Sequence, residues 1–376
     1  MTGDAMGVRQ QLATAMRQAS LRWAGCDLEV LPDSGLAHTH VRLVGHGALA
    51  RIPKQSQMNL AAEENLAYQA ACFERAGRSG HTPALLGRLP PSAALPRGAL
   101  IVEEIIGRGA VLPGDLTAIV TALAHIHQLP LPAGNARAPL MPAIDPMTAL
   151  LVEIETQAAY LNAAQIGPTT RRRIEAEIER YRSLCAGSAR PPLSLISFDA
   201  HPGNFMIRAD ASAVLVDLEK CRYSHASLDL AHATLYTSTT WDAASSAVLS
   251  VDEVAGAYAD WSRAMGLSAA VWNDWNAWHA WHAWHMPLRR AMWLWSISWC
   301  AKWRVVSAAA SPVAAPCEDW STQLSEPALI THVRGRVDHY LSASVVEQVL
   351  DDIDATAQTM LQMNDQDRVA TSQHSP

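Results

Sequence analysis

Little in this chain points to a covalent or membrane-bound framework. Its six cysteines (Cys26, Cys72, Cys185, Cys221, Cys300 and Cys317) are scattered through 376 residues, with no Cys-x-x-Cys pair. That spacing excludes a disulfide scaffold or a thiolate zinc site and reads as reduced thiols. Hydrophobic residues make up 49% of the chain, yet no stretch approaches the ~20 uninterrupted apolar residues of a membrane span. The start, Met1-Thr2-Gly3-Asp4, has no basic segment leading into an apolar one, so no secretory signal is expected and the chain reads as cytoplasmic. Positive charge is also scarce. Lys and Arg number 29 against 36 Asp and Glu, the net charge is −7, and no extended basic patch exists, so no nucleic-acid partner is expected.

What the chain does have is concentrated in mid-sequence. Asp199-Ala200-His201-Pro202-Gly203-Asn204 leads into the apolar run Phe205-Met206-Ile207. A polar turn follows, then a second apolar run, Val214-Leu215-Val216, ending in Asp217-Leu218-Glu219. Two strands joined by a turn would bring Asp199, Asn204 and Asp217 together at their open ends. Phosphoryl transfer needs that set: one carboxylate to orient a hydroxyl, and an amide with a second carboxylate to hold magnesium against a nucleotide.

The rest of the chain suits a two-lobed arrangement. Helical spacing marks the first ~20 residues. Short strands follow at Leu28–Leu31, Val41–Val44 and Ala48–Ile52, the last two joined by Gly45-His46-Gly47 in the manner of a hairpin. Before them lies a polar turn with one glycine, Gly35. Leu60–Ala76 has a helical pattern, with Glu63 and Glu64 in its first turn, where acids also complement the helix dipole. Leu100–Ile106 reads as a strand. Asp115 reads as the cap of a helix with Leu116, Ile119, Val120, Leu123 and Ile126 on one face. Further helices are expected over about 147–161 and 170–185.

Asp199-x-x-x-x-Asn204 with Asp217 beyond it, His-Pro-Gly-Asn within the loop, Asp-Leu-Glu after the second strand, and Leu123-Ala124-His125-Ile126-His127-Gln128-Leu129-Pro130 resemble the aminoglycoside phosphotransferase/choline kinase superfamily. The resemblance covers about residues 30–240. It implies an α+β, bilobal protein-kinase-like fold: an N-lobe over 1–105 with an antiparallel sheet and a helix, and a larger, mainly helical C-lobe over 106–360. It also implies that Asp199 is the catalytic carboxylate, and that Asn204 and Asp217 hold Mg2+ with Glu219 as an aid. Arg51 would contact the phosphates of ATP or GTP and pair with Glu64; Lys54 competes for Arg51's place. Gly35 would lie in the nucleotide loop, and the Glu103 and Ile105 backbone would face the base. His201 would support the loop. Asp229, in Ser227-Leu228-Asp229-Leu230-Ala231, would brace it from a helix start, and His127 would be structural. One position departs from the family. Where a histidine that bonds backbone near the metal-binding segment is usual, two residues before Asp199, this chain has Ser197.

Nine tryptophans fall within 272–303. Trp272, Trp275, Trp278, Trp281 and Trp284 recur every third residue and sweep around a helix; Trp295, Trp299 and Trp303 recur every fourth. Two readings stand: a large aromatic core, or an acceptor region over 270–305 whose faces attract an amine. Asp274, Glu318 and Asp319 would add charge to the second. His279, His282 and His285 have a spacing that suits metal, with only Asp274 near enough to complete a cluster. The stretch 361–376 is polar and unpatterned and is expected to be disordered. The combined expectation is an enzyme moving the terminal phosphate of a nucleoside triphosphate to a hydroxyl of a small molecule, an amine-bearing one among the candidates. The alternative is a catalytically weak nucleotide-binding regulatory protein on a kinase scaffold.

Overall fold

The computed structural model describes residues 3–32, 37–56, 58, 60–140, 144–267, 281–308 and 327–372. Gly35, Trp272, Asp274, Trp275, Trp278, His279, Cys317, Glu318 and Asp319 lie outside them. The architecture is α+β, an antiparallel sheet followed by a mainly helical region. Five strands, β1 Leu28–Val30, β2 His38–Leu43, β3 Ala48–Pro53, β4 Leu85–Leu89 and β5 Ala99–Glu103, form one sheet in the order β1-β2-β3-β5-β4, every pairing antiparallel. The β2–β3 hairpin pairs Leu43 with Ala48, and its turn uses Gly45 and Gly47 at φ 78° and 58°, which glycine adopts without strain.

Period-two alternation decides what each face of the sheet does. Ala48, Ala50, Ala99 and Ile101 pack with Leu12, Met16 and Trp23, beneath helix α1 (Gly3–Gln18). Leu49, Leu100 and Val102 face the other way, into a core shared with α2 (Ala62–Ala76), α3 (Leu116–His127) and the hairpin residues Phe205 and Leu215. Arg51 follows Leu49 at the same alternation, so it too points toward the rest of the chain. The α2 helix is bonded across as well as packed. Tyr68 Oη donates to the Cys221 carbonyl at 2.7 Å, and Arg75 Nη1 donates to the Arg137 carbonyl at 2.6 Å.

Two short strand systems carry the site. Strand β6 (Arg108–Gly109) pairs with β8 (Phe205–Ile207), which pairs with β9 (Ala213–Leu215); β7 (Ser194–Ile196) pairs with β10 (Arg222–Ser224). The expected strand through Ile106 is instead broken after Glu103, because β6 crosses to the second system. Gly107 makes that crossing: a Cβ there would stand 2.3 Å from the Ile207 carbonyl oxygen. Helices α4 (Pro146–Ala158), α5 (Pro168–Ala186), α6 (Ala226–Thr234), α7 (Tyr236–Thr239), α8 (Val251–Ala264), α9 (His285–Ala308), α10 (Pro327–Tyr340) and α11 (Ala343–Ser372) complete the fold. Most of a second core is made by α4, α5, α9, α10 and α11, with Trp293 and Trp303 buried in it.

Two local expectations are corrected. Asp115 does not cap α3 with its side chain. It accepts from the Val111 N–H at 2.7 Å and from Arg108 Nη2 at 2.8 Å, which holds the turn before the helix. The tail expected to be disordered from 361 continues α11 to Ser372. Its Ala, Gln, Leu, Met and Arg residues are good helix formers, and helix propensity needs no apolar stripe. Among the described residues, no helix is long and apolar enough to cross a membrane.

Candidate active site

Hairpin β8–β9 aligns its open ends as the sequence pattern requires. The Val216 N–H donates to the Asn204 carbonyl at 2.9 Å, which sets Asn204 beside Asp217. Asn204 Nδ2 donates to the Asp199 carbonyl at 2.9 Å, closing the loop 199–204 and leaving its amide oxygen to accept. Within this loop, Gly203 cannot be exchanged freely. A Cβ on it would lie 2.8 Å from Asp242 Oδ2 and 3.0 Å from the His201 ring.

The residues before Asp199 are under strain and heavily braced. Phe198 has φ 59°, a left-handed conformation that costs an aromatic residue on the order of 1–3 kcal/mol. Asp229, fully buried in the first turn of α6, fixes it by accepting the Ser197 N–H at 2.7 Å and the Phe198 N–H at 2.8 Å. Behind Asp229 stands a relay. The Trp261 indole can only donate, and it donates to His127 Nδ1 at 3.0 Å; His127 therefore carries its proton on Nε2 and presents it to Asp229 Oδ2 at 3.2 Å. The Phe198 ring is clamped between the Arg222 guanidinium, 3.7 Å from its centroid, and the edge of Trp295 at 5.0 Å. Both clamps are anchored by Glu153, which accepts from Arg222 at 2.6 Å and from Trp295 Nε1 at 3.0 Å. Ser197 Oγ accepts the Asp199 N–H at 3.0 Å, a local bond in place of the reach of a histidine.

Arg51 is brought to the hairpin, with a different partner from the expected one. Its Nη2 donates to Asp217 Oδ1 at 2.7 Å and its Nη1 to the Val216 carbonyl at 3.0 Å. Glu64 is exposed on α2 and makes no ion pair with Arg51. The helix turns Gln69 and Phe73 toward this cation instead. Phe73 lies under the guanidinium, 5.4 Å from it, and Gln69 holds His38 Nε2 at 3.0 Å. His38 Nδ1 is 3.4 Å from Arg51 Nη2 and 3.6 Å from Glu219 Oε2. Glu103 ends β5, with its N–H on the Ala84 carbonyl and its carboxylate 3.3 Å from Arg208; Ile105 lies in the half-buried turn beyond.

Burial and charge together set the protonation of this cluster. Burial alone would raise the Asp217 carboxyl, and the adjacent Arg51 more than reverses this, holding it well below the usual carboxylate range. Glu219 is 5% exposed and is pushed up to about 8 by burial and by the Asp217 charge. Burial, with Arg51 alongside, lowers His38 to about 4. Asp199 is held below its ordinary value: burial opposes ionisation, and the neighbouring charges, Lys220 foremost, outweigh it.

Sequence reasoning missed Lys220, whose Nζ is 2.9 Å from Asp199 Oδ2, although its position directly after Asp-Leu-Glu was a signal. It also missed Asp242, His232, His38 and Gln69, which local spacing does not link to the loop. Among the described tryptophans, Trp293 and Trp303 are core, Trp281 meets Trp261 edge-on at 5.6 Å, and Trp295 alone reaches the loop through Phe198. His282 bonds Ser262 and His285 bonds Ser227, so neither is arranged as a metal ligand. Among the described residues, the group with metal-ligand geometry is His38, Asp217 and Glu219.

Comparison with known proteins bears on the fold and the family. The chain is similar to a choline/ethanolamine kinase family protein from Mesorhizobium loti (16% identity, 93% of this chain and 99% of that one, TM-score 0.52). It is similar to an ethanolamine kinase of Plasmodium vivax (11%, 90% of each chain, TM-score 0.57) and to aminoglycoside 2'-phosphotransferase-IIIa solved with GDP (14%, 88% and 99%, TM-score 0.52). These likenesses establish a bilobal, kinase-like fold. No curated protein matches the chain. A profile of the phosphotransferase enzyme family matches residues 47–267, more than half of the sequence and the whole of the loop, hairpin and Asp229. The chain belongs to the phosphotransferase enzyme family.

Proposed function

We propose that the protein moves the terminal phosphate of ATP or GTP to a hydroxyl of a small, amine-bearing molecule, working in the cytoplasm. The observation that carries this reading is the convergence of Asp199, Asn204 and Asp217 at one hairpin end, with the Asp199 carboxylate kept ionised. Asp199 takes the acceptor's hydroxyl proton. The acceptor oxygen bonds to the terminal phosphorus as the bond to the bridging oxygen breaks, and that electron pair leaves with the nucleoside diphosphate. The amide oxygen of Asn204 and the second carboxylate oxygen of Asp217 are hard oxygen donors, which suit Mg2+, and Glu219 lies next in line. Bound there, the ion would neutralise phosphate charge. Arg51 supplies a fixed positive charge on the phosphate side. For the base, the Ile105 N–H is free of backbone partners among the described residues, while those of Glu103 and Glu104 are taken by Ala84 and Gly47. The Asp242 carboxylate against Gly203, with Trp241 next to it, supports an amine on the acceptor. Of the compounds named for the similar structures, ethanolamine and aminoglycosides carry amines and choline a quaternary ammonium group, so each presents a cationic nitrogen.

A second reading, nucleotide binding without transfer, is favoured by the Arg51–Asp217 bond, which occupies one oxygen of a proposed metal ligand. One experiment separates the two. Nucleoside diphosphate formation is measured with Mg-ATP and Mg-GTP against choline, ethanolamine and gentamicin, alongside thermal shift. Transfer that collapses in Asp199→Asn and Asp217→Ala, both still folded, supports the kinase. A thermal shift with Mg-ATP and no turnover in any arm supports the second reading.

A further inference from the structure

Asp199 is held in two different ways. Its backbone is fixed three times over: Ser197 Oγ on its N–H at 3.0 Å, Asn204 Nδ2 on its carbonyl at 2.9 Å, and the Asp229 bonds to the two residues before it. Its carboxylate has one hydrogen-bond partner among the described residues, Lys220, with Nζ on Oδ2 at 2.9 Å. Both side chains are largely withdrawn from water, 18% and 16% exposed. The other carboxylate oxygen, Oδ1, is 4.0 Å from His232 Nδ1. Burial lowers that ring to about 4, so it brings no full charge to the pair.

Among the described residues, Arg51 thus pairs with Asp217 and Lys220 with Asp199. A surface ion pair would deserve little weight. This one joins the loop at 199 to the segment after the metal-side strand, 21 residues on, at a place where the neighbouring Asp217 charge repels Asp199. A carboxylate on a free rotamer there would swing away from Asp217 or toward any cation offered to it. A bond to one oxygen sets the plane of the group and leaves the other oxygen with no hydrogen-bond partner among the described residues.

We propose that Lys220 is a positioning residue for phosphoryl transfer: its ammonium group grips Asp199 Oδ2 and so presents Oδ1 to the acceptor hydroxyl. The inference rests on the kinase reading above. Placement of a general base contributes on the order of 100-fold or more to such reactions, and the loss of that placement is what a Lys220 variant should show.

The test compares Lys220→Met, which keeps length and removes charge and donors, Lys220→Arg, which keeps both, and Asp199→Asn, alone and combined with Lys220→Met. Each is assayed for nucleoside diphosphate formation with Mg-ATP and the acceptor panel, for Mg-ATP affinity by fluorescent-nucleotide titration, and for thermal unfolding. We expect Lys220→Met to lose about 100-fold in kcat while nucleotide affinity stays within about threefold, and Lys220→Arg to recover to within about tenfold of the parent. Adding Lys220→Met to Asp199→Asn should cost little more, since both act on one carboxylate. A kcat for Lys220→Met within about threefold of the parent would overturn the proposal, as would multiplicative losses in the double variant. If Lys220→Met does not fold, Lys220→Gln takes its place with the same expected loss. A parent protein without nucleotide turnover sinks the kinase reading itself; a parent that turns over, with Lys220 variants that match it, sinks this inference alone.

Discussion

Replacing Asp229 with asparagine changes one atom of a fully buried side chain, and the structure says what that atom does. Asp229 Oδ1 accepts the Phe198 N–H, while Oδ2 accepts both the Ser197 N–H and His127 Nε2. The best placement of an asparagine keeps its oxygen at Oδ2 and turns its NH2 group toward the Phe198 N–H. One buried donor then faces another donor, at a cost of about 1–3 kcal/mol, and the two surviving bonds drop from charged to neutral strength, about 1 kcal/mol each. The total is about 3–5 kcal/mol, a large part of the ~5–15 kcal/mol that separates folded from unfolded chains. The loss falls on Phe198, whose left-handed backbone persists only because its surroundings enforce it. Asp199 is the next residue, so kcat should fall with stability. Urea unfolding followed by tryptophan fluorescence measures the first, and turnover at a temperature where the variant remains folded measures the second. An Asp229→Asn protein within about 0.5 kcal/mol of the parent, with unchanged kcat, would refute the claim that this aspartate holds the loop.

Two further outcomes are expected. Arg51→Met leaves Asp217 partly buried without its cation, which should cost about 3 kcal/mol of stability and weaken Mg-ATP binding at least tenfold; isothermal titration and thermal unfolding check both. Burial holds His38, His225 and His232 near 4 against an ordinary 6.5, so their contribution to stability is present above pH 6.5 and is lost as pH falls toward 4, about 3 kcal/mol per ring. Glu219, raised to about 8 from 4.5, runs the other way, its contribution being lost as pH rises from 4.5 through 8. Between pH 6.5 and 4.5 Glu219 offsets one of the protons that the depressed histidines add to the slope, and His225→Gln, remote from the hairpin, should reduce that slope by about one proton in a pH series of unfolding free energies.

The parts of the site that were legible in the sequence are those joined by short loops. Asp199, Asn204 and Asp217 lie on one hairpin, and a two-residue period with a polar turn brings them together whatever the rest of the chain does. The β5 strand as far as Glu103 and the α2 and α3 helices were legible for the same reason, since their patterns are local. Glu64 was not, because a first-turn acid fits the helix dipole as well as it fits an ion pair. Which face of α2 meets Arg51 was decided by docking, through Tyr68 on Cys221 and Arg75 on Arg137. The His127–Asp229 bond spans 102 residues and Trp261–His127 spans 134, and no periodicity encodes such a pairing. The tryptophan run divides. Trp272, Trp275 and Trp278 lie outside the described residues, while the indoles of α9 follow the core reading, Trp293 and Trp303 buried in it and Trp295 and Trp299 packed against it, with Trp295 also reaching the loop through Phe198.

Ser197 stands where the resemblance implies a histidine, and the surrounding bonds show what holds the loop without one. A serine hydroxyl is too short to cross from this loop to the segment after β9; here it turns back on the Asp199 N–H. The crossing is made instead at two other points. One is the Val216 N–H on the Asn204 carbonyl, which belongs to the hairpin itself; the other is Lys220 on Asp199. Asp229 meanwhile takes both N–H groups ahead of Asp199, with His127 and Trp261 behind it, so the loop is fixed from the helix side as well. Lys220 adds a cation, itself largely withdrawn from water, to the Asp199 carboxylate, so the side chain of Asp199 is tied as well as its backbone.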